Sequence, residues 1–287
     1  MSRTREADRV RVTLLGTGSP LPDPNRAGPA TLVEAGGLHL LFDCGRGVLM
    51  RLAAAGLPTP ALLAGVFLTH LHSDHVSDFN DVVTTRWVTS PAPNPLGVVG
   101  PPGTGRFVDR TLEMLRDDVG YRIAHHEDLQ WEPGVDVTEV LDGPVLLDVL
   151  AGAGVTVGAA PTDHRPVAPT VGYRIEHDGA AVVIAGDTVP CDGLERLVAG
   201  ADVYVQTVIR DDIVRQVPLQ RFRDICDYHS SVADAARTAA AGGVGTLVLT
   251  HMVPAPPPGA ADEWVALARE HFDGTVVAPD DLGVVET

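Results

Sequence analysis

The chain reads as an α/β protein of two similar halves, with sheets inside, helices outside and a site along one sheet edge. Three observations predict this. Short apolar runs alternate with helix-spaced runs from end to end, the pattern of a layered architecture. Histidine and aspartate recur where strands end, in both halves. No stretch is long enough to act as a linker, so residues 1–287 are expected to form one domain, with the boundary between the halves near 150–160.

Residues 10–15 (V-R-V-T-L-L) alternate and stop at G-T-G-S-P, a strand entering a Gly-rich loop. That loop lacks a P-loop lysine, and Pro20, Pro22 and Pro24 bar a following helix. It is expected beside the active site, not as a phosphate cradle. Residues 30–34 and 38–42 form a hairpin about Gly36-Gly37. Asp43 ends it, either as a turn residue or as a carboxylate that orients a metal-binding histidine. A helix at 48–55 is closed by Gly56 and Pro58. Residues 64–68 (A-G-V-F-L) are a buried strand feeding T-H-L-H-S-D-H at 69–75. Helical spacing covers 76–89 through Val76, Phe79, Val83 and Trp87; 96–99 is a strand and 107–115 an amphipathic helix. His125 and His126 fall in a polar loop and are expected at the surface or a pocket rim.

Residues 135–157 are strand-rich and lead to P-T-D-H, which sets His164 just past a strand, as His70 is. Strands at 173–176 and 181–184 flank the turn H-D-G, and the second ends in A-G-D-T at 185–188. Asp187 is thereby exposed where a bridging metal ligand would stand. A helix at 194–198 and a strand at 203–205 precede a helix at 232–241, with Ser230-Ser231 as N-cap candidates and Gly242-Gly243 as its stop. The strand 246–249 ends in Thr250-His251, echoing Thr69-His70, and P-A-P-P-P at 254–258 makes a rigid loop beside it. A helix at 261–272 and a strand at 275–277 close the chain.

The net charge is −17, and all 21 basic residues are arginine. Such a surplus argues against unaided binding of a polyanion. Three cysteines without C-x-x-C spacing fit a reducing compartment. The charged start, M-S-R-T-R-E-A-D-R, has no leader-like apolar region, and no long apolar span follows. A cytoplasmic protein without membrane contact is expected.

In T-H-L-H-S-D-H, three imidazoles and a carboxylate fall within six residues, the nitrogen and oxygen donors that Zn²⁺ takes. In extended backbone His70 and His72 share a face. Asp74 and His75 are adjacent and diverge, which suits a second metal. A polar loop that is merely rich in histidine is the plain alternative. Together with His164, G-D-T at 186–188 and T-H at 250–251, the motif resembles that of metallo-β-lactamase-fold hydrolases, which are αββα sandwiches. G-T-G-S-P-x-P-x-P, Y-H-S-S at 228–231 and L-V-L-T-H resemble the branch holding ribonuclease Z and the arylsulfatases of this fold. R-A-G-P-A at 26–30, V-T-T-R-W-V at 83–88 and residues 272–282 look closer to the arylsulfatases.

The resemblance implies that His70, His72 and His164 hold one zinc, that Asp74, His75 and His251 hold the other, and that Asp187 bridges them. Manganese or iron would suit the same donors. Asp74 would also accept the nucleophile's proton, and His229 would stabilise developing charge or protonate the leaving group; as a plain residue before a helix it would do neither.

Two departures shape the expected substrate. The Gly/Pro-rich arm that grips tRNA in ribonuclease Z is absent between Glu176 and Ala181. With the acidic charge, this favours a small anionic ester, a phosphodiester or an aryl sulfate, and disfavours tRNA. Arg86, Arg106 and Arg110 are then candidate anion contacts. Gln206-Thr207 also replaces a His-Glu pair of the family, which removes an expected partner of His229. A ribonuclease Z-type tRNA 3′-processing endonuclease, a lactone or β-lactam hydrolase, and a non-catalytic metal-binding member remain as alternatives. A homodimer is compatible with the resemblance.

Overall fold

The apolar runs pair into two seven-stranded sheets in a computed structural model that describes residues 9–287. The charged stretch 1–8 lies outside the described residues. The first sheet contains β1 (Arg11–Gly16), β2 (Ala30–Ala35), β3 (Leu38–Phe42), β4 (Gly65–Phe67), β5 (Leu96–Gly100) and β6 (Val135–Glu139). The second contains β7 (Gly143–Pro144), β8 (Thr156–Pro161), β9 (Val171–His177), β10 (Ala180–Ile184), β11 (Val203–Ile209), β12 (Thr246–Val253) and β13 (Thr275–Val277). A last strand, β14 (Gly283–Glu286), returns to the first sheet and pairs antiparallel with β1. The spatial orders are β14-β1-β2-β3-β4-β5-β6 and β13-β12-β11-β10-β9-β8-β7. Each sheet is antiparallel on one side, as in β1-β2-β3 and β8-β9-β10, and parallel on the other, as in β3-β4-β5-β6 and β10-β11-β12-β13.

Ten helices complete the described chain: α1 (Val48–Ala54), α2 (Ser73–Val76), α3 (Phe79–Thr89), α4 (Thr104–His125), α5 (Asp148–Gly152), α6 (Asp192–Val198), α7 (Asp211–Val214), α8 (Gln220–Asp224), α9 (Val232–Gly242) and α10 (Asp262–Arg269). Three apolar layers hold the elements together. Val12, Phe42, Phe67, Tyr173, Val205 and Val248 fill the space between the sheets. Leu41, Leu52, Leu68, Phe79 and Val108 fill the layer under α1, α3 and α4. Leu194, Tyr204, Ala235, Leu249 and Trp264 do so under α6, α9 and α10. The result is the αββα sandwich expected from the motifs. Strand β11 (V-Y-V-Q-T-V-I) is buried at every position, as a parallel strand covered on both faces must be.

Several bounds differ from the sequence expectation. The crossing from one sheet to the other falls between Glu139 and Gly143, ahead of 150–160, because the short β7 already pairs with β8. The helix expected at 76–89 is two helices, α2 and α3. Asp78 stands between them and accepts a hydrogen bond from the Gly47 amide at 2.5 Å. Helix α4 runs on to His125, since no proline falls between 115 and 125 and Gly120 is accommodated within it. His125 and His126 are exposed at its end. No helix of the described residues is long and apolar enough to cross a membrane.

Candidate metal centre

Parallel strands of both sheets end along one edge, where the loops after them converge; open α/β sheets bind ligands at such carboxyl ends. Strand β3 ends in Asp43, β4 in the 69–75 motif, β8 leads to His164, and β10 ends at Gly186-Asp187. His251 lies within β12, where pairing with β11 shifts register past Thr207; such irregularities re-aim side chains. Asp43 and His251 take left-handed backbone, with φ of 59° and 48°, which costs free energy in a non-glycine residue and clusters at functional sites. Gly186 has φ of +67°, and a Cβ there would stand 2.6 Å from the Thr69 Cβ. Glycine therefore lets the edge of one sheet close upon the other.

The ring nitrogens are set by what lies behind them. Asp43 accepts a hydrogen bond from His75 Nδ1 at 2.8 Å. It also accepts from the Thr69 amide at 2.8 Å and from the Thr69 hydroxyl at 2.9 Å. That hydroxyl in turn accepts from His70 Nδ1 at 3.0 Å. One carboxylate thus fixes the tautomers of two histidines and leaves both Nε2 lone pairs facing the site. His164 Nδ1 donates to the Tyr228 carbonyl at 2.8 Å, which frees its Nε2 likewise.

These lone pairs meet each other. His72 Nδ1 lies 3.2 Å from both His70 Nε2 and His164 Nε2. Asp187 Oδ2 lies 3.1 Å from His229 Nε2, 3.5 Å from His75 Nε2, and 3.8–3.9 Å from the Nε2 atoms of His70, His164 and His251. His251 Nε2 is 3.1 Å from Asp74 Oδ2. The predicted residues fall into the two expected sets: His70, His72, His164 and Asp187 in one, and Asp74, His75 and His251 in the other, with donor atoms inside 4.8 Å in each. Asp74 and His75 do not diverge as extended neighbours would. They sit in α2, with Asp74 Oδ2 3.7 Å from His75 Nε2.

His75 Nε2, Asp187 Oδ1 and His251 Nδ1 are buried with no protein partner, an arrangement that costs free energy unless another group satisfies them. Burial holds His70 well below its ordinary pKa and His164 at about 4, so both are neutral donors at pH 7. Burial also opposes charge on His75, but Asp187 and Asp43 outweigh it and hold the imidazole well above its ordinary value, so a cation bound there would displace a proton from Nε2. The carboxyl of Asp187, buried too, is held well below the carboxylate range by His251 and His75. Converging lone pairs, ionised buried carboxylates and unpaired donor atoms fit a divalent cation at each set.

A cleft of about 570 Å³ opens over these residues. Ser19–Asp23 line one side, so the G-T-G-S-P loop is where the sequence placed it, together with Pro254 and Ala255. The other side is Ile213, Val214, Val217, Phe222, Ile225 and Tyr228. Apart from Tyr228 in Y-H-S-S, the sequence reading missed this wall, although its apolar residues recur at helical spacing between charges.

His229 points Nε2 at Asp187, and its Nδ1 donates to the Ile225 carbonyl at 2.9 Å. Gln206 does not touch it. The amide of Gln206 is engaged by the Tyr204 hydroxyl at 2.5 Å and the Thr207 carbonyl at 2.8 Å. With Gln206-Thr207 in place of a His-Glu pair, His229 is held by Asp187 and by the Ile225 carbonyl. Arg86 is no anion contact: it is buried, and its guanidinium donates to the carbonyls of Pro60, Leu63 and Asn94. Arg106 and Arg110 are exposed on α4.

A family profile described as "Beta-lactamase superfamily domain" matches residues 39–252, and the chain belongs to that superfamily, as a metallo-β-lactamase-fold protein of the ribonuclease Z branch. A protein of Mycolicibacterium paratuberculosis named Ribonuclease Z is 60% identical over 279 residues, 96% of this chain and 98% of the relative. Among solved structures, the metallo-β-lactamase fold protein YhfI of Bacillus subtilis superposes with a TM-score of 0.73 at 23% identity, covering 98% of this chain and 100% of that one. Human tRNase Z, short form, gives 0.68 at 24%, covering 96% and 98%.

These relatives overturn the small-ester substrate and the disfavouring of tRNA, and they back the ribonuclease Z alternative. The alignment spans 98% of a protein named Ribonuclease Z, so a missing long arm does not separate this chain from proteins of that name. The stretches that looked arylsulfatase-like are scaffold. Arg26 is buried and bonded to Thr17, Pro256 and Asp280, Arg86 is bonded as above, and Asp281 binds backbone amides. None of them reports on a substrate.

Proposed function

We propose that this protein is a divalent-metal-dependent endonuclease of the ribonuclease Z type that cuts precursor tRNA at its 3′ side. The observation that carries this reading is near-full-length similarity, at 56–60% identity, to proteins named Ribonuclease Z. His70, His72 and His164 would hold one zinc ion and Asp74, His75 and His251 the other, with Asp187 between them; five imidazoles among seven donors suit zinc. Two such ions would supply Lewis acidity to the phosphodiester and lower the pKa of water at the site. Asp74, at the cleft floor, takes the proton of the attacking water through its carboxylate. His229, held by the Ile225 carbonyl with Nε2 toward the cleft, donates to the leaving oxygen or to the charge developing there. Asp43 and Thr69 keep His75 and His70 in the binding tautomer.

Incubating the zinc-loaded protein with a precursor tRNA that carries a 3′ trailer tests the reading. Release of the trailer, abolished by chelation and by Asp187→Ala, is expected; an intact precursor in the presence of zinc and of manganese would refute it. His229→Ala is expected to lower kcat roughly 10²–10⁴-fold with metal content unchanged.

A further inference from the structure

The cleft wall made by residues 211–228 has a composition that the metal chemistry does not use. It is apolar through Ile213, Val214, Val217 and Ile225, and it presents two aromatic rings, Phe222 and Tyr228. It also carries one arginine, Arg221, whose guanidinium carbon lies 5.8 Å from the Phe222 ring centroid. The other arginines of this region are engaged: Arg210 by Asp212 and Glu263, Arg215 by Asp211, and Arg223 by the Val217 carbonyl and Gln220. Arg221 is exposed and, among the described residues, has no carboxylate or carbonyl partner. An unengaged cation beside aromatic faces, opening onto the catalytic residues, is a pairing that suits a nucleotide: phosphate on the guanidinium, base on the rings.

We propose that Arg221, Phe222 and Tyr228 form a subsite that holds one unpaired nucleotide of the RNA next to the bond that is cut. The proposal rests on the ribonuclease reading above and adds which side of the cleft grips the strand. A cleft of about 570 Å³ matches the volume of a small-ligand pocket, roughly 300–1,000 Å³. That volume suffices for an unstacked nucleotide. The wall is also where a protein of net charge −17 places a free positive group against a polyanion. Recognition of single strands by stacking on aromatic rings is the general mode for RNA.

The test is cleavage of precursor tRNA by the zinc-loaded protein as a function of salt. Arg221→Ala is expected to lower kcat/KM about tenfold and to make the slope of log(kcat/KM) against log salt shallower by about 0.7, one phosphate of a single strand. Phe222→Ala is expected to lose about tenfold with the slope unchanged, the size of one lost base stack, and Phe222→Trp to recover most of that loss. A protein that merely needs these side chains to fold would not change its salt slope, nor would it be rescued by tryptophan. An unchanged slope in Arg221→Ala, or a Phe222→Trp no better than Phe222→Ala, overturns the subsite while the ribonuclease reading stands. A wild-type protein that leaves precursor tRNA uncut overturns both.

Discussion

Asp43 shows how far one side chain reaches at this site. Its two oxygens receive His75 Nδ1 and the Thr69 amide and hydroxyl, and through that hydroxyl they reach His70. Its left-handed backbone is the strain that this reach requires. An asparagine keeps the shape but places an amide against one of the donors. Asp43→Asn is therefore expected to weaken metal binding about 10–100-fold, beyond the loss of about 1–3 kcal/mol of stability that one unpaired buried donor causes in the metal-free protein. Competition with a chromogenic chelator reads this, and an affinity equal to wild type would count against the relay. The carboxylate itself was legible in the sequence as the end of a strand. The step through Thr69 was not, because a threonine before a histidine has no signature until both are seen to share one acceptor.

Elements differ in how plainly the sequence announces them. The strands ending in Asp43, His70, Asp187 and His251 are short apolar runs with a break after each, so periodicity finds them. Residues 211–227 hide theirs, since R-D-D, R-Q and R-F-R-D interrupt the apolar positions of α7 and α8. Helix α9 is the clearest, with Ser231 and Asp234 forming a reciprocal capping box. Burial works to raise the Asp234 carboxyl, but Ser231 and Arg237 more than offset it and hold it below the usual range. A group lowered on folding stabilises above its unfolded pKa, and that contribution is lost as pH falls through the folded value. Ser231→Ala is thus expected to cost about 1 kcal/mol at pH 7 and measurably less at pH 3, as read by urea unfolding; an equal cost at both would exclude the ionised cap. The loop 17–27 is held differently. Asp281 accepts from the Thr17 amide and hydroxyl, the Ala27 amide and Arg51, at 2.7–2.9 Å. Asp281→Ala leaves two amides unpaired near the core and is expected to cost about 3 kcal/mol. It should also speed amide exchange through residues 17–27 while α9 keeps its protection, whereas uniform loosening would mean the clamp is not local.

At the scale of the whole molecule, the charge that misdirected the substrate reading is a sum over the surface, and substrate binding depends on the charge that lines one cleft. What does belong to the whole is the division of the donors. His70, His72, Asp74 and His75 follow the first sheet, and His164, Asp187 and His251 belong to the second. Neither sheet carries enough donors for both sets, so cations at this edge would tie the layers together as well as supplying chemistry. A ligand that binds only the folded state stabilises it by RT ln(1 + [L]/Kd), about 4 kcal/mol at a thousandfold excess over Kd. For a chain of this size, that corresponds to a fall in Tm of about 7 °C on stripping the metal. Exchange should then quicken at residues 69–76 and 186–189 together, because removing the cations restores the repulsion between lone pairs at His70, His72 and His164 and leaves Asp187 facing imidazoles alone. Calorimetry with and without chelator, followed by hydrogen exchange, checks both parts. A Tm that does not move, or quickened exchange on one sheet only, would show that the cations serve the reaction without joining the halves.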